Sequence, residues 1–245
     1  MTNSSRRKLL TAGLSTVAGL SGMGLAAKLA DQYGLLPPDS GGIYGIGETL
    51  TYASQRLLTR HSLAREFSRD QISAAPFVNG PVLATKDYQR HQSEAFANWK
   101  LSIDGLVARP TTFSLAELRS FPARSQITHL ACEEGWSYIA HWAGAPLADL
   151  LHRVGILPQA KYIMYSSFEK GWDDSIDMAD ALHPQTLIAH SMNGADLPAG
   201  HGGPLRMRVP RQLAYKSVKY IHRLTVTDRP EKAWPGGNYA WFAGI

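Results

Sequence analysis

Cys132 is the only cysteine in this 245-residue chain. It sits in His129-Leu130-Ala131-Cys132-Glu133-Glu134-Gly135-Trp136-Ser137, with two acids directly after it. Three readings of its chemistry are open: a small buried hydrophobe, a nucleophile, or a metal ligand. Neighbouring carboxylates raise a thiol's pKa and weaken it as a free nucleophile. A bound cation reverses that logic by deprotonating the thiol outright. A lone cysteine also excludes an intramolecular disulfide, a Cys₂ or Cys₄ zinc or iron–sulfur site within the chain, and covalent haem attachment through Cys-x-x-Cys-His.

The second constellation is basic. His201-Gly202-Gly203-Pro204 opens a turn, and Leu205 to Val209 alternates so that Arg206 and Arg208 share one face before Pro210. Ser217 and Lys219 close the run. Backbone amides of a glycine-rich turn, with Arg and Lys, suit a phosphate or pyrophosphate. A solvated basic hairpin also explains the segment and, taken alone, is the better reading. No P-loop, HExxH or GxSxG motif occurs, and the nine histidines make no zinc-ligand spacing.

Several elements must position these residues. Trp99 to Gly105 alternates and ends in Asp-Gly, a strand into a turn. Ser114 and Glu117 form a capping box that opens a short helix. Ile127 to Leu130 reads as a strand running into Cys132. Pro146 to Val154 is helical in period, with Gly155 as its C-cap. Tyr162 to Tyr165 reads as a buried strand and Tyr220 to Thr227 as the last long one. Leu50 to Phe67 is expected as one helix. Many short strands with few short helices predict an α+β, β-rich mixed domain.

Composition bounds the remainder. Hydrophobic residues are 44% and charged residues 18%, a globular balance. The net charge of +5 concentrates at Arg6, Arg7, Lys8 and Lys28, since no acid occurs before residue 29. Without those four cations the chain carries 21 bases against 20 acids, so nucleic acid is not an expected partner. Arg6-Arg7-Lys8-Leu9-Leu10 followed by an apolar run to Ala27 reads as an export signal of twin-arginine type. An uncleaved anchor is the alternative, because about 19 residues at ~1.5 Å rise just span ~30 Å of hydrocarbon. Residues 1–30 are thus expected as signal or anchor, 31–75 as linker and helix, and 76–245 as the functional domain. The aromatic, Gly-rich tail from Trp234 to Ile245 fits a site mouth, a contact with a partner, or a tail packed on the surface.

The ordered motifs Trp99-x-Leu101-x-Ile103-x-Gly105, Cys132 to Ser137, Trp142-x-Gly144-x-Pro146-Leu147, Ser175 to Met178, His183 to Gly194 and His201 to Lys219 resemble one family. They are similar to the molybdopterin-binding domain of the sulfite oxidase family, above all its bacterial branch of periplasmic methionine sulfoxide reductase catalytic subunits. The resemblance runs from about residue 76 to 228. It implies a single domain of the sulfite oxidase molybdopterin-binding type, behind an N-terminal signal or anchor helix. It implies Mo-molybdopterin as cofactor, with Cys132 as the metal ligand. Soft thiolate ligation suits a redox metal of this kind. Glu134 matches an acid near the metal that relays protons. His201 and Arg206 match residues at the pterin and its phosphate, and Ser217 and Lys219 match a pair at the same cofactor. Ser167 matches a hydroxyl residue reaching the pterin. Asn79 and Tyr88 match upstream cofactor contacts, at a spacing that departs from the reductase.

The resemblance also implies an oxidoreductase acting on a small-molecule or sulfoxide-type substrate. With no haem or flavin motif in the chain, electrons are expected from a membrane b-type cytochrome or another carrier. Export by the twin-arginine translocation machinery implies a periplasmic location. Two departures bear on the substrate. His129-Leu130-Ala131 stands where the reductase has Arg-x-x, and the arginine-rich sulfite pocket is not recognisable. The immunoglobulin-like dimerisation domain of animal and plant sulfite oxidases has no counterpart in the ~17 residues after Asp228, so a monomer or partnered subunit is expected. Two other readings stay open: a pterin-binding module without turnover, and a cofactor-free cysteine enzyme.

Overall fold

Residues 24–30, 46–59 and 61–228 are described by the computed structural model. The Arg6-Arg7 signal, the breaker cluster at Leu36 to Gly42 and the aromatic tail from Trp234 lie outside them. Contacts divide the chain into two units, Met1–Arg60 and His61–Ile245. In the first, residues 24–30 and Ile46–Thr59 are helical. Among the described residues no helix is long and apolar enough to cross a membrane.

The second unit is built on two sheets. One has the order β2-β1-β10-β5-β6, with β1 Lys100–Gly105, β2 Thr111–Ser114, β5 Tyr162–Ser167, β6 Asp173–Asp177 and β10 Ile221–Thr227. Strands β1 and β10 run parallel, pairing Ser102 with Arg223 across most of the domain. The other sheet has the order β3-β4-β7-β8, with β9 also on β7. Its strands are β3 Arg124–Ala131, β4 Ser137–Pro146, β7 Leu187–Met192, β8 Ala195–Asp196 and β9 Arg206–Arg208.

The local signals act as expected. Ser114 Oγ accepts from Glu117 N at 3.2 Å and Glu117 Oε2 accepts from Ser114 N at 2.7 Å, closing the box over helix Leu115–Ser120. Gly155 caps helix Leu147–Val154 in the left-handed region at φ 72°. Leu147, Leu150, Leu151 and Val154 bury that helix's apolar face in the main core with Leu101, Ile103, Ile163 and Leu224.

Two expectations require correction. The helix ends at Thr59 rather than Phe67. Residues 61–75, expected as part of a linker, belong instead to the second unit and are tied to β3 and β4. Phe67 N donates to Ile127 O at 2.9 Å, Ser73 N to Ile139 O at 3.0 Å, and Glu66 bridges Thr128. The unpaired groups of an edge strand take up this extended segment, and tertiary pairing outweighs its weak helical period.

Candidate functional site

Strand β3 delivers Cys132 to the mouth of a tight turn. Gly135 N donates to Cys132 O at 3.1 Å and Cys132 N to Trp136 O at 3.0 Å, so the chain reverses into β4. The thiol is half-buried. It lies 3.1 Å from Glu133 Oε2 and 3.7 Å from Glu134 Oε2. Burial, together with the two carboxylates, pushes the thiol up to about 12. Glu134 Oε2 also accepts the Trp136 indole N–H at 2.6 Å, which fixes the carboxylate beside the sulfur. Cys132 and Trp136 pack on the cluster of Leu130, Tyr138, Trp142 and Met192, the inward face of β3, β4 and β7.

From there a continuous chain of contacts reaches the basic run. Trp136 stacks on Tyr138 at 6.2 Å and 15°. The Tyr138 hydroxyl meets His201 Nδ1 at 3.2 Å. Arg206 Nη1 donates to His201 O at 3.0 Å and Nη2 to Ser217 O at 2.5 Å. Ser217 Oγ accepts from Val209 N at 3.1 Å. Lys219 Nζ donates to Asn79 O at 2.6 Å and Gly200 O at 2.8 Å, while Lys219 O accepts from Ser167 Oγ at 2.9 Å. Asn79, Ser167, His201, Arg206, Ser217 and Lys219 therefore form one connected group. Gly202 lets the turn close on it: at φ 97° it has no Cβ, and one would sit 2.7 Å from Lys219 Cβ.

Tyr88 stands behind this group. It is fully buried against Trp99 and Tyr220, and its hydroxyl donates to Gly203 O at 2.7 Å. It braces the Gly-Gly-Pro turn.

The solvated-hairpin reading of the basic run is overturned. Strand β9 pairs with β7, Leu187 opposite Arg208 and Ala189 opposite Arg206. That pairing leaves Arg206 3% and Arg208 0% exposed. Their guanidinium carbons lie 5.3 and 5.5 Å from the centre of the Trp142 ring. Among the described residues no carboxylate pairs with either one. Burial and mutual repulsion push Arg208 down to about 9; burial and the neighbouring cations bring Lys219 to about 8 and His201 to about 4.

Arg208 Nε and Nη1 and Trp142 Nε1 are buried donors without a partner in the protein, and Arg206 Nε has nothing beyond the neighbouring Tyr138 hydroxyl. Buried cations and donors of this kind are costly unless something anionic meets them. A phosphate-bearing cofactor supplies such a group. The metal end fits as well. Among the described residues no three His, Cys, Asp or Glu side chains converge on a metal-sized site. A metal at Cys132 would therefore take its other ligands from a cofactor.

Sequence reasoning missed Tyr138 and Trp142, and carried Arg206 but not Arg208 over to the cofactor. The signals were present: Tyr138, Ala140 and Trp142 alternate along β4, all buried, and Arg208 shares the face of Arg206.

The comparisons with known proteins agree with this geometry. The model of the oxidoreductase molybdopterin binding domain matches residues 88–235. The chain is 41% identical over 149 residues to a putative protein-methionine-sulfoxide reductase subunit, YedZ1, of Azospira oryzae, covering 60% of this chain and 56% of that protein. It is 33% identical over 152 residues to the protein-methionine-sulfoxide reductase catalytic subunit MsrP of Ralstonia nicotianae, covering 56% and 46%. The chain thus spans about half the length of the curated relatives it matches. The sulfane dehydrogenase SoxCD of Paracoccus pantotrophus shares the fold, with a TM-score of 0.56 at 22% identity over 69% of this chain and 46% of that one. With a match over more than half its length, and a thiol and a buried cationic run joined through one aromatic chain, this protein belongs to the oxidoreductase molybdopterin-binding domain family.

Proposed function

We propose that the chain is the molybdopterin-carrying catalytic part of an exported reductase for sulfoxide-type substrates. The observation that carries this reading is the connected path from Cys132 through Trp136 and Tyr138 to His201, Arg206 and Lys219. Cys132 would hold the metal, and His201, Arg206, Ser217 and Lys219 the pterin and its phosphate. When bound, molybdenum supplies two-electron oxygen-atom transfer.

The chain's own groups account for the protons. Reducing a sulfoxide to a sulfide consumes two electrons and two protons and releases water. Glu134 lies 3.7 Å from the sulfur and is oriented by the Trp136 N–H, so it can hold and pass a proton beside the Cys132 thiol. The Phe77 ring, 5.3 Å from Trp136, adds an apolar side that suits the alkyl groups of a sulfoxide. Relatives bearing the name methionine sulfoxide reductase favour this substrate class over sulfite. Electrons would come from a separate membrane partner, a b-type cytochrome being the family expectation. The Arg6-Arg7 signal supports a periplasmic site of action through the twin-arginine route.

The cofactor-free cysteine enzyme is the weaker reading, because burial and two adjacent carboxylates oppose a free thiolate at Cys132. A pterin-binding module without turnover is separated by activity alone. Chain purified from a molybdenum-replete host, supplied with a reduced viologen dye, should oxidise the dye when methionine sulfoxide is added. Metal-loaded protein inert toward sulfoxides would refute the substrate; metal that cannot be reoxidised would support the module.

A further inference from the structure

Arg208 lies beyond the cofactor residues that the family pattern names. Its guanidinium is fully buried, and only Nη2 is used, donating to Thr128 Oγ1 at 3.0 Å and His129 O at 2.7 Å. Nε and Nη1 are unpartnered, as is Trp142 Nε1 beside them, and Arg206 Nε has nothing beyond the neighbouring Tyr138 hydroxyl. Both guanidiniums lie against the one indole ring. A structural arginine of a core closes its donor set on carbonyls or carboxylates. Here two cations share a ring and repel each other, and Arg208 Nε and Nη1 and Trp142 Nε1 are left without a partner. Guanidinium N–H groups meet the oxygens of a tetrahedral dianion in paired, charge-assisted hydrogen bonds.

We propose that Arg208 and Trp142 Nε1, contiguous with Arg206, form a second anion subsite for a phosphate-type oxyanion. Its occupant is either the terminal phosphate of the cofactor or a free oxyanion beside it. The first case rests on the molybdopterin reading; the subsite itself does not. Arg208 thereby raises the cationic charge at the site above what Arg206 and Lys219 supply. His129 O, which holds Arg208, lies on β3 three residues before Cys132, so anchoring the anion also anchors the strand that presents the thiol.

The test uses the full chain made cofactor-free in a host that cannot synthesise the pterin, and the loaded chain from a replete host. Inorganic phosphate is titrated calorimetrically into both, and pterin content is read as fluorescence after oxidation. Cofactor-free wild type should bind phosphate, and Arg208→Met should weaken it by about ten- to a hundredfold. Arg208→Lys should recover part of the loss, and Trp142→Phe, which keeps the ring and removes its N–H, should weaken binding less. If loaded wild type no longer takes phosphate and Arg208→Met retains less pterin, the cofactor's phosphate is the occupant. If loaded wild type still binds phosphate and Arg208→Met alone loses it at unchanged pterin content, the occupant is a free oxyanion. Wild-type phosphate affinity in Arg208→Lys and Trp142→Phe, with unchanged pterin, overturns the subsite, as does cofactor-free wild type that binds no phosphate. Should Arg208→Met fail to fold, those two variants decide the matter. Phosphate binding by a chain that carries no molybdenum even when purified from the replete host would instead refute the cofactor reading and leave the subsite standing.

Discussion

Tyr88→Phe separates a residue that touches the cofactor from one that braces the turn beneath it. The Tyr88 hydroxyl makes a buried 2.7 Å bond to Gly203 O, and burial raises the phenol's pKa so that it stays a donor. The phenylalanine ring keeps the edge contacts with Trp99 and Tyr220 at 6.2 and 5.1 Å, so packing is preserved. What is lost is one donor, leaving one buried carbonyl unsatisfied at a cost of about 1–3 kcal/mol. For a domain of this size each kcal/mol lowers Tm by about 2–4 °C. A loss near 2 kcal/mol therefore lowers Tm by about 4–8 °C. Thermal unfolding of the cofactor-free chain should show that fall, with pterin content of the loaded protein close to wild type. An unchanged Tm with collapsed pterin content would refute the bracing role and put the hydroxyl on the cofactor.

Other predictions follow from the same contacts. Lys216→Met leaves Asp174 without the cation 2.7 Å away and should cost about 3–5 kcal/mol in urea unfolding. Burial already raises the Asp174 pKa, so ionising it costs folded stability, and the deficit of the variant should widen as pH rises above about 4. His201 is held near 4, below its ordinary 6.5. Its contribution is therefore present above 6.5 and lost as pH falls toward 4, and His201→Gln should flatten the Tm–pH curve of the cofactor-free chain in that window. Gly202→Ala forces a Cβ against Lys219 at φ 97°, and should lower both Tm and pterin retention, by about 1–3 kcal/mol in stability. Glu134→Gln keeps an acceptor for the Trp136 N–H but cannot carry a proton. It should cut sulfoxide turnover by about 10²–10⁴ at unchanged metal content.

The sequence carried the locally determined features. The capping box at Ser114, the Gly155 cap and the alternating strands β1 and β10 depend on near neighbours, and each formed where the pattern put it. The Cys132 turn and the basic run were visible for the same reason. Long-range pairing was not legible. Nothing in Leu205 to Val209 reveals that β9 lies on β7, yet that pairing turns a hairpin read as solvated into a buried cationic site. The segment after Thr59 was misread because its helical period competes with an unpaired edge of β3 that only the fold creates. Tyr138 and Trp142 were hidden similarly: each is an ordinary core aromatic in sequence, and only His201 and Arg206 arriving from β7 onward give them a part in the site.

Metal and pterin content, measured on the same purified chain, tests whether Cys132 and the buried cations together hold molybdopterin. Wild type from a molybdenum-replete host should carry molybdenum and pterin in equal amounts, near one of each per chain. Cys132→Ala should lose reducible metal while staying folded and keeping pterin on Arg206 and Lys219. Folded wild type with neither, from a host that makes the cofactor, or full redox activity in Cys132→Ala, would contradict the account.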